Sequence, residues 1–171
     1  MPIIRKNLVL LGMMAVGKTT LGKLVAKNQG LRFVDTDQHI EKKNSMSIKE
    51  IFETKSESFF RIEEKKEILK LIKKEGCVIA LGGGAFMDKT VRESILKNCI
   101  SVWLDVSIST LNKRSRWNKK RPLLKNQNNL KKLSQIYSER KNIYKLANYK
   151  IICDKISKKD IINKIISLYE K

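Results

Sequence analysis

Gly12-Met13-Met14-Ala15-Val16-Gly17-Lys18-Thr19, with Thr20 behind it, is the stretch that decides the fold. Two glycines with four residues between them, then lysine and threonine, make a complete phosphate-binding loop. The apolar run Leu8-Val9-Leu10-Leu11 comes immediately before it and reads as a buried parallel strand. Behind it, Leu21, Leu24 and Val25 recur at helical spacing up to Gln29. Backbone N–H groups of Gly12 to Thr20 would wrap a nucleotide's phosphates, helped by the field of the helix N-terminus. Lys18 would reach the β- and γ-phosphates, and Thr19 would set its hydroxyl on Mg²⁺.

Apolar runs recur along the chain at helix-sized intervals. Leu8–Leu11, Arg32–Asp35, Cys77–Leu81, Ser101–Asp105 and Tyr149–Cys153 are expected as strands. Helical patterns cover 18–29, 47–55, 57–75, 88–98, 129–146 and 158–170. Ser47 with Glu50 makes a capping box, and Ser157 can cap the last helix. Alternating strands and helices predict an α/β fold, a parallel sheet covered on both faces. Its ligands belong beyond the carboxyl ends of the strands. Two stretches leave this core within what reads as a single domain. Residues 36–75 form a wholly helical, substrate-binding insertion, and 114–128, basic and lacking apolar periodicity, a lid over the nucleotide.

The strand ends supply the chemistry. Asp35 and Asp37 stand at the exit of the second strand, where one could serve the metal's water shell and the other an acceptor hydroxyl; helix N-capping is the simpler reading of each. Asp105, with Val106 and Ser107, opens the next helix and is not expected to act in catalysis. Gly82-Gly83-Gly84 ends the third strand, either to let a ligand approach the backbone closely or as a plain turn. Arg61 has Glu64 three residues on, on the same helix face. Glu64 could hold that guanidinium for a bidentate grip on an anion, or the two could form a solvated ion pair. Arg140 carries the same ambiguity, and Phe52 and Phe60 read first as core. His39 has nothing near it to make it a base or ligand.

At 171 residues, 42% of them hydrophobic and with no run of 18 apolar residues, the chain can bury an ordinary core and predicts no transmembrane helix. Arg5-Lys6 leads straight into the first strand, so no signal peptide is expected. Three widely spaced cysteines support neither a disulfide framework nor a zinc site, and the cytoplasm is the expected compartment. A net charge of +20 suggests a phosphate-tracking surface for nucleic acid. Basic residues are spread over nearly every predicted helix, however, in a chain that favours lysine, isoleucine and asparagine throughout. A compositional drift is the preferred account, and a nucleic-acid partner is not expected.

Taken in order, the loop, Asp35-Thr36-Asp37, Phe60-Arg61 with Glu64, Gly82-Gly83-Gly84, Lys120-Arg121-Pro122-Leu123-Leu124 and Glu139-Arg140 resemble the shikimate kinases over nearly the whole chain. The resemblance implies a P-loop, nucleoside-monophosphate-kinase-like fold with a five-stranded parallel sheet in the order 2-3-1-4-5. It implies ATP-dependent phosphorylation of the shikimate 3-hydroxyl, on the route to chorismate, by a monomer whose partners are these small molecules. By position, Asp37 would bind the shikimate hydroxyls, Arg61 and Arg140 its carboxylate, and Gly83, between Gly82 and Gly84, would donate from its backbone. Arg121 would reach the phosphates, Thr19 and Asp35 would hold Mg²⁺, and Phe52 and Phe60 would wall the pocket. Three positions depart from the family pattern. Ala15 and Ser56 stand where glycine is usual, and an arginine near the adenine is missing, with Cys153 and Ser157 in that region. An alanine forced to positive φ at position 15 would cost on the order of 1 kcal/mol. A gluconate or nucleoside-monophosphate kinase would share the loop without needing the Asp37, Arg61, Gly83 and Arg140 set. A non-enzymatic nucleotide- or nucleic-acid-binding module is the alternative of a different class.

Overall fold

The apolar run at the head of the chain is the centre of the sheet. Leu8, Val9, Leu10 and Leu11 are fully buried in β1 (Asn7–Leu11). Covered on both faces, such a strand is apolar without alternation. A computed structural model describes residues 5–116 and 129–171. Around β1 lie β2 (Arg32–Asp35), β3 (Cys77–Ala80), β4 (Cys99–Asp105) and β5 (Tyr149–Ile152), all parallel, in the order β2-β3-β1-β4-β5. This is the expected order. Asp35 and Leu10 both register with Ala80, and Leu11 registers with Trp103. The carboxyl ends of β2, β3, β1 and β4 therefore lie side by side, which sets the loops after them around one hollow.

Among the described residues the helices are α1 (Lys18–Gln29), α2 (Thr36–Asn44), α3 (Ile48–Thr54), α4 (Glu57–Ile72), α5 (Lys89–Asn98), α6 (Ile108–Arg116), α7 (Asn129–Tyr144) and α8 (Lys158–Tyr169), with a 3₁₀ turn at Ala85–Met87. The Ser47–Glu50 capping box and the Ser157 cap both form as expected. Ser56, where the family pattern has glycine, caps α4 by accepting the Phe59 N–H at 3.0 Å. Helix α4 stops at Ile72, three residues short of its expected end. There the amide of Asn7, buried in β1, takes the terminal carbonyls of Leu71, Ile72 and Lys74 and accepts the Cys77 N–H. One side chain thus closes a helix and starts the next strand. Cys77, Cys99 and Cys153 are buried and free, and burial pushes the Cys99 and Cys153 thiols up to about 11. Among the described residues no helix is long and apolar enough to cross a membrane.

The insertion is built of three helices, α2, α3 and α4, joined by short turns. Ile40, Ile51 and Phe60 form a small core of their own, with Phe52 set edge-on to Phe60 at 5.2 Å between ring centroids. Charged groups brace its outer side. Glu67 of α4 accepts from Lys43 of α2 at 2.7 Å and from Lys70 at 3.2 Å, and His39 of α2 lies 3.0 Å away. Burial opposes the Glu67 charge, but these partners win and hold its carboxyl at about 2. His39, expected to be exposed or hydrogen-bonded, is tied into this brace.

Candidate active site

The hollow is floored by the glycine loop. Gly12 leaves β1 at φ 144°, where a Cβ would stand 2.5 Å from the carbonyl oxygen of Leu104 in β4. Gly17, at φ 102°, starts α1. Between them Met13 and Val16 turn inward and are buried, so the loop is anchored by its own side chains. Lys18 lies across it, donating to the carbonyls of Gly12 at 2.8 Å and Met13 at 2.9 Å. Ala15 adopts φ 64°, the left-handed conformation its departure from glycine raised. We expect Ala15→Gly to raise the melting temperature by roughly 1–3 °C. Relief of about 1–2 kcal/mol of strain is partly offset by about 0.4–1 kcal/mol of added unfolded-chain entropy. A thermal melt checks this, and a lower melting point would mean that the loop bears no strain there.

Asp35 is the N-cap of α2, the simpler of the two readings of its position. One carboxylate oxygen caps α2, accepting from Asp37 N at 3.1 Å and Gln38 N at 3.2 Å. The other accepts the Thr19 hydroxyl at 2.6 Å. Thr19 and Asp35 thus bring a hydroxyl and a carboxylate oxygen together beside the phosphate loop. That hard-oxygen donor set fits Mg²⁺.

The glycine triplet after β3 is the meeting point. A Cβ on Gly82 would lie 2.6 Å from Asp37 Oδ1 and 2.7 Å from Glu64 Oε1; on Gly83, 3.0 Å from Arg140 Nη1; on Gly84, 2.8 Å from Arg61 Nη1. The same Gly83 position is 3.7 Å from the Gly12 carbonyl and 3.9 Å from the Met14 N–H nitrogen. So the carboxylates, the two guanidiniums and the phosphate loop each approach a bare stretch of backbone. The triplet itself is pinned by the Thr36 hydroxyl, which accepts the Gly82 N–H at 2.9 Å. A cleft of about 360 Å³ opens beside it, walled by Arg61, Glu64, Lys65, Gly84 and Arg140 among others.

The Arg61–Glu64 pair is buried at its acid and half-exposed at its guanidinium. Glu64 is buried, and its Oε2 accepts from Arg61 Nη1 at 2.8 Å, while Glu57 lies 3.4 Å from Nη2. Burial works against the Arg61 charge, but Glu64 and then Glu57 outweigh it and leave the group raised. Burial, and after the opposing pull of Arg61 the nearby Asp37, push Glu64 above the usual carboxylate range. Its Oε1 has no hydrogen-bond partner among the described residues. Phe60 is buried beneath Arg61, whose guanidinium carbon lies 5.2 Å from the ring centroid; Phe52 packs on Phe60 and is partly exposed.

Asp105 stands apart from this group. It pairs with Lys150 at 2.8 Å and accepts the Tyr137 hydroxyl at 3.1 Å. Ser107 rather than Asp105 starts α6, and the Asp154 carboxylate holds both its N–H and its hydroxyl. Arg121, together with Trp117, Lys120 and most of the expected lid, lies outside the described residues. Sequence reasoning missed three side chains. Thr36 was passed over between its two acids. Arg114, taken as the start of the lid, sits on α6 and donates to the carbonyls of Ala15 at 3.4 Å and Val16 at 3.3 Å. Tyr144 stands one helical turn beyond Arg140, and that spacing was the one signal for it.

A family model described as shikimate kinase matches residues 14–170. The chain is 42% identical to the shikimate kinase of Sulfurihydrogenibium sp. over 162 residues, which cover 95% of this chain and 96% of that protein. It is 41% identical to the shikimate kinase of Bacillus subtilis over 167 residues, 96% of this chain and 89% of that one. Among solved structures, shikimate kinase from Acinetobacter baumannii in complex with shikimate superposes with a TM-score of 0.90 at 34% identity, covering 95% of this chain and 92% of that one. A gluconokinase from Sinorhizobium meliloti, at 14% identity, TM-score 0.61 and coverage of 98% and 93%, shares the fold alone.

Proposed function

The chain belongs to the shikimate kinase family, and from that premise we propose that it moves the γ-phosphoryl group of ATP to the 3-hydroxyl of shikimate across the glycine triplet. The observation that carries this reading is the position of Gly83. Among the described glycines it is the one in contact range of both the phosphate loop and the Arg140 guanidinium, so donor and acceptor bound on either side of it would face each other. Such transfer asks chiefly for alignment and charge neutralisation.

Arg61 and Arg140 grip the shikimate carboxylate, the first held by Glu64, and so fix the ring's orientation. Gly82, Gly83 and Gly84 admit it to backbone distance, with Gly83 donating, while Phe52 and Phe60 wall the site. Asp37 orients the attacking hydroxyl and accepts its proton. Residues 12–20 wrap the phosphates, with Lys18 on the β- and γ-groups; Arg121 is assigned to the transferred group on the family resemblance. Thr19 and Asp35 would hold Mg²⁺, which when bound supplies neutralisation of phosphate charge. The enzyme works as a single-domain monomer in the cytoplasm on these small molecules, and neither a membrane nor nucleic acid is its partner.

Arg61→Lys tests the acceptor half. A point charge replaces a planar fork, and loss of a charge-assisted hydrogen bond raises the shikimate KM roughly 10- to 100-fold. The expected change in kcat is far smaller. Initial-rate measurements of ADP release with shikimate, gluconate and a nucleoside monophosphate read this out. An unmoved shikimate KM would remove Arg61 from the site.

A further inference from the structure

Tyr144 is fully buried on α7, with its ring 5.9 Å between centroids from that of Trp103 in β4. Its hydroxyl donates to the carbonyl of Gly83, 61 residues away in the chain. Arg140, one turn earlier on the same helix face, sets its guanidinium beside the phenol, and its Nη1 lies 3.0 Å from where a Cβ on Gly83 would stand. Since the Gly83 carbonyl can only accept and a guanidinium can only donate, the direction is fixed. Tyr144 O–H donates to Gly83, and its oxygen is left able to accept from Arg140.

We infer that Tyr144 is a positioning residue for the acceptor substrate, acting through Arg140 and Gly83. This rests on the reading that those two groups hold shikimate. They come from unrelated parts of the fold, one from a long helix and the other from the loop that ends β3. A guanidinium and a backbone donor can engage one rigid ring acid only if their separation is set within about half an ångström. The phenol bonds the Gly83 carbonyl and stands beside the Arg140 guanidinium, and the Trp103 ring packs against it. Its buried ring alone would fill the core; the hydroxyl is what joins the two walls.

The test is Tyr144→Phe, which keeps the ring and removes the join. The expected result is a shikimate KM raised roughly 5- to 20-fold, the loss of a hydrogen bond to a charged group. The ATP KM should be unchanged and kcat should stay within about threefold. A melting point lowered with both KM values unmoved would show a purely structural tyrosine and overturn the inference. In the Arg140→Lys background, Tyr144→Phe should add less than about twofold, because coupled groups are not additive. Full additivity would overturn the route through Arg140. If Arg140→Lys itself leaves the shikimate KM unmoved, the underlying site assignment falls, and the inference with it. Should the phenylalanine variant not fold, 3-fluorotyrosine at 144 keeps the packing and alters the hydroxyl. A shikimate KM then moved by about twofold or more at an unchanged melting point supports the inference, and an unmoved one overturns it.

Discussion

Asp37→Asn is expected to bind ATP as the parent does and to lose roughly 10²- to 10⁴-fold in kcat, the range that a positioned general base supplies. Asparagine keeps the size and a hydrogen bond to a hydroxyl, but it cannot take the proton. The local cost is small. Asp37 sits against Gly82, where there is no Cβ to clash with, and its charge is one of the influences raising Glu64. Removing that charge relieves the second carboxylate and so should not unsettle the fold. Calorimetric titration of ATP beside steady-state rates separates binding from turnover. A kcat within about fivefold of the parent would take Asp37 out of proton transfer and leave the phosphate loop and arginines to carry the reaction.

The second large effect is on the fold itself. Gly12→Ala should lower the melting temperature by roughly 6–12 °C, about 3 kcal/mol for a domain of this size. Two costs add. The backbone at φ 144° is one that a side chain rarely adopts, and the new Cβ would lie 2.5 Å from a backbone carbonyl of β4. The obstacle is main chain in the middle of the sheet, so no rotamer change can clear it. Nucleotide affinity should fall with it, because Lys18 is bonded to that residue's carbonyl. A melting point within about 2 °C of the parent would show that the β1–β4 pair yields more easily than its burial implies.

What could be read without coordinates divides along physical lines. The central strands β1, β3 and β4, buried on both faces, announce themselves as apolar runs; the partly exposed edge strands β2 and β5 are legible too, β2 to the residue and the other four with one end shifted by one or two. Helix α2 was absorbed into a general helical stretch because it buries only Thr36 and Ile40 and so shows no periodicity. Helix α6, rich in polar and basic residues, was taken in part for the lid for the same reason. At the site, residues whose type states their chemistry were legible: the loop, the acids, the arginines and the glycines. Residues that act through contacts made in three dimensions were not. Thr36 holds Gly82, Tyr144 reaches across 61 residues, and Arg114 braces the loop from behind. None of those partnerships has a spacing.

The glycines also speak about the gene. Codons for lysine, isoleucine and asparagine are rich in A and T, whereas every glycine codon begins with two guanines, so a coding sequence drifting toward the first sheds the second. Eight glycines survive in this chain. At five of them, Gly12, Gly22, Gly82, Gly83 and Gly84, an atom lies within 3.0 Å of where a Cβ would stand. Ala15 marks how far the drift has run, since a left-handed alanine costs about 1–2 kcal/mol where a collision would be intolerable. The other three, Gly17, Gly30 and Gly76, stand at positive φ with no atom within 3.5 Å, so each glycine of the chain is held by backbone conformation or by steric exclusion, and the five that face a collision mark the contacts that admit no side chain.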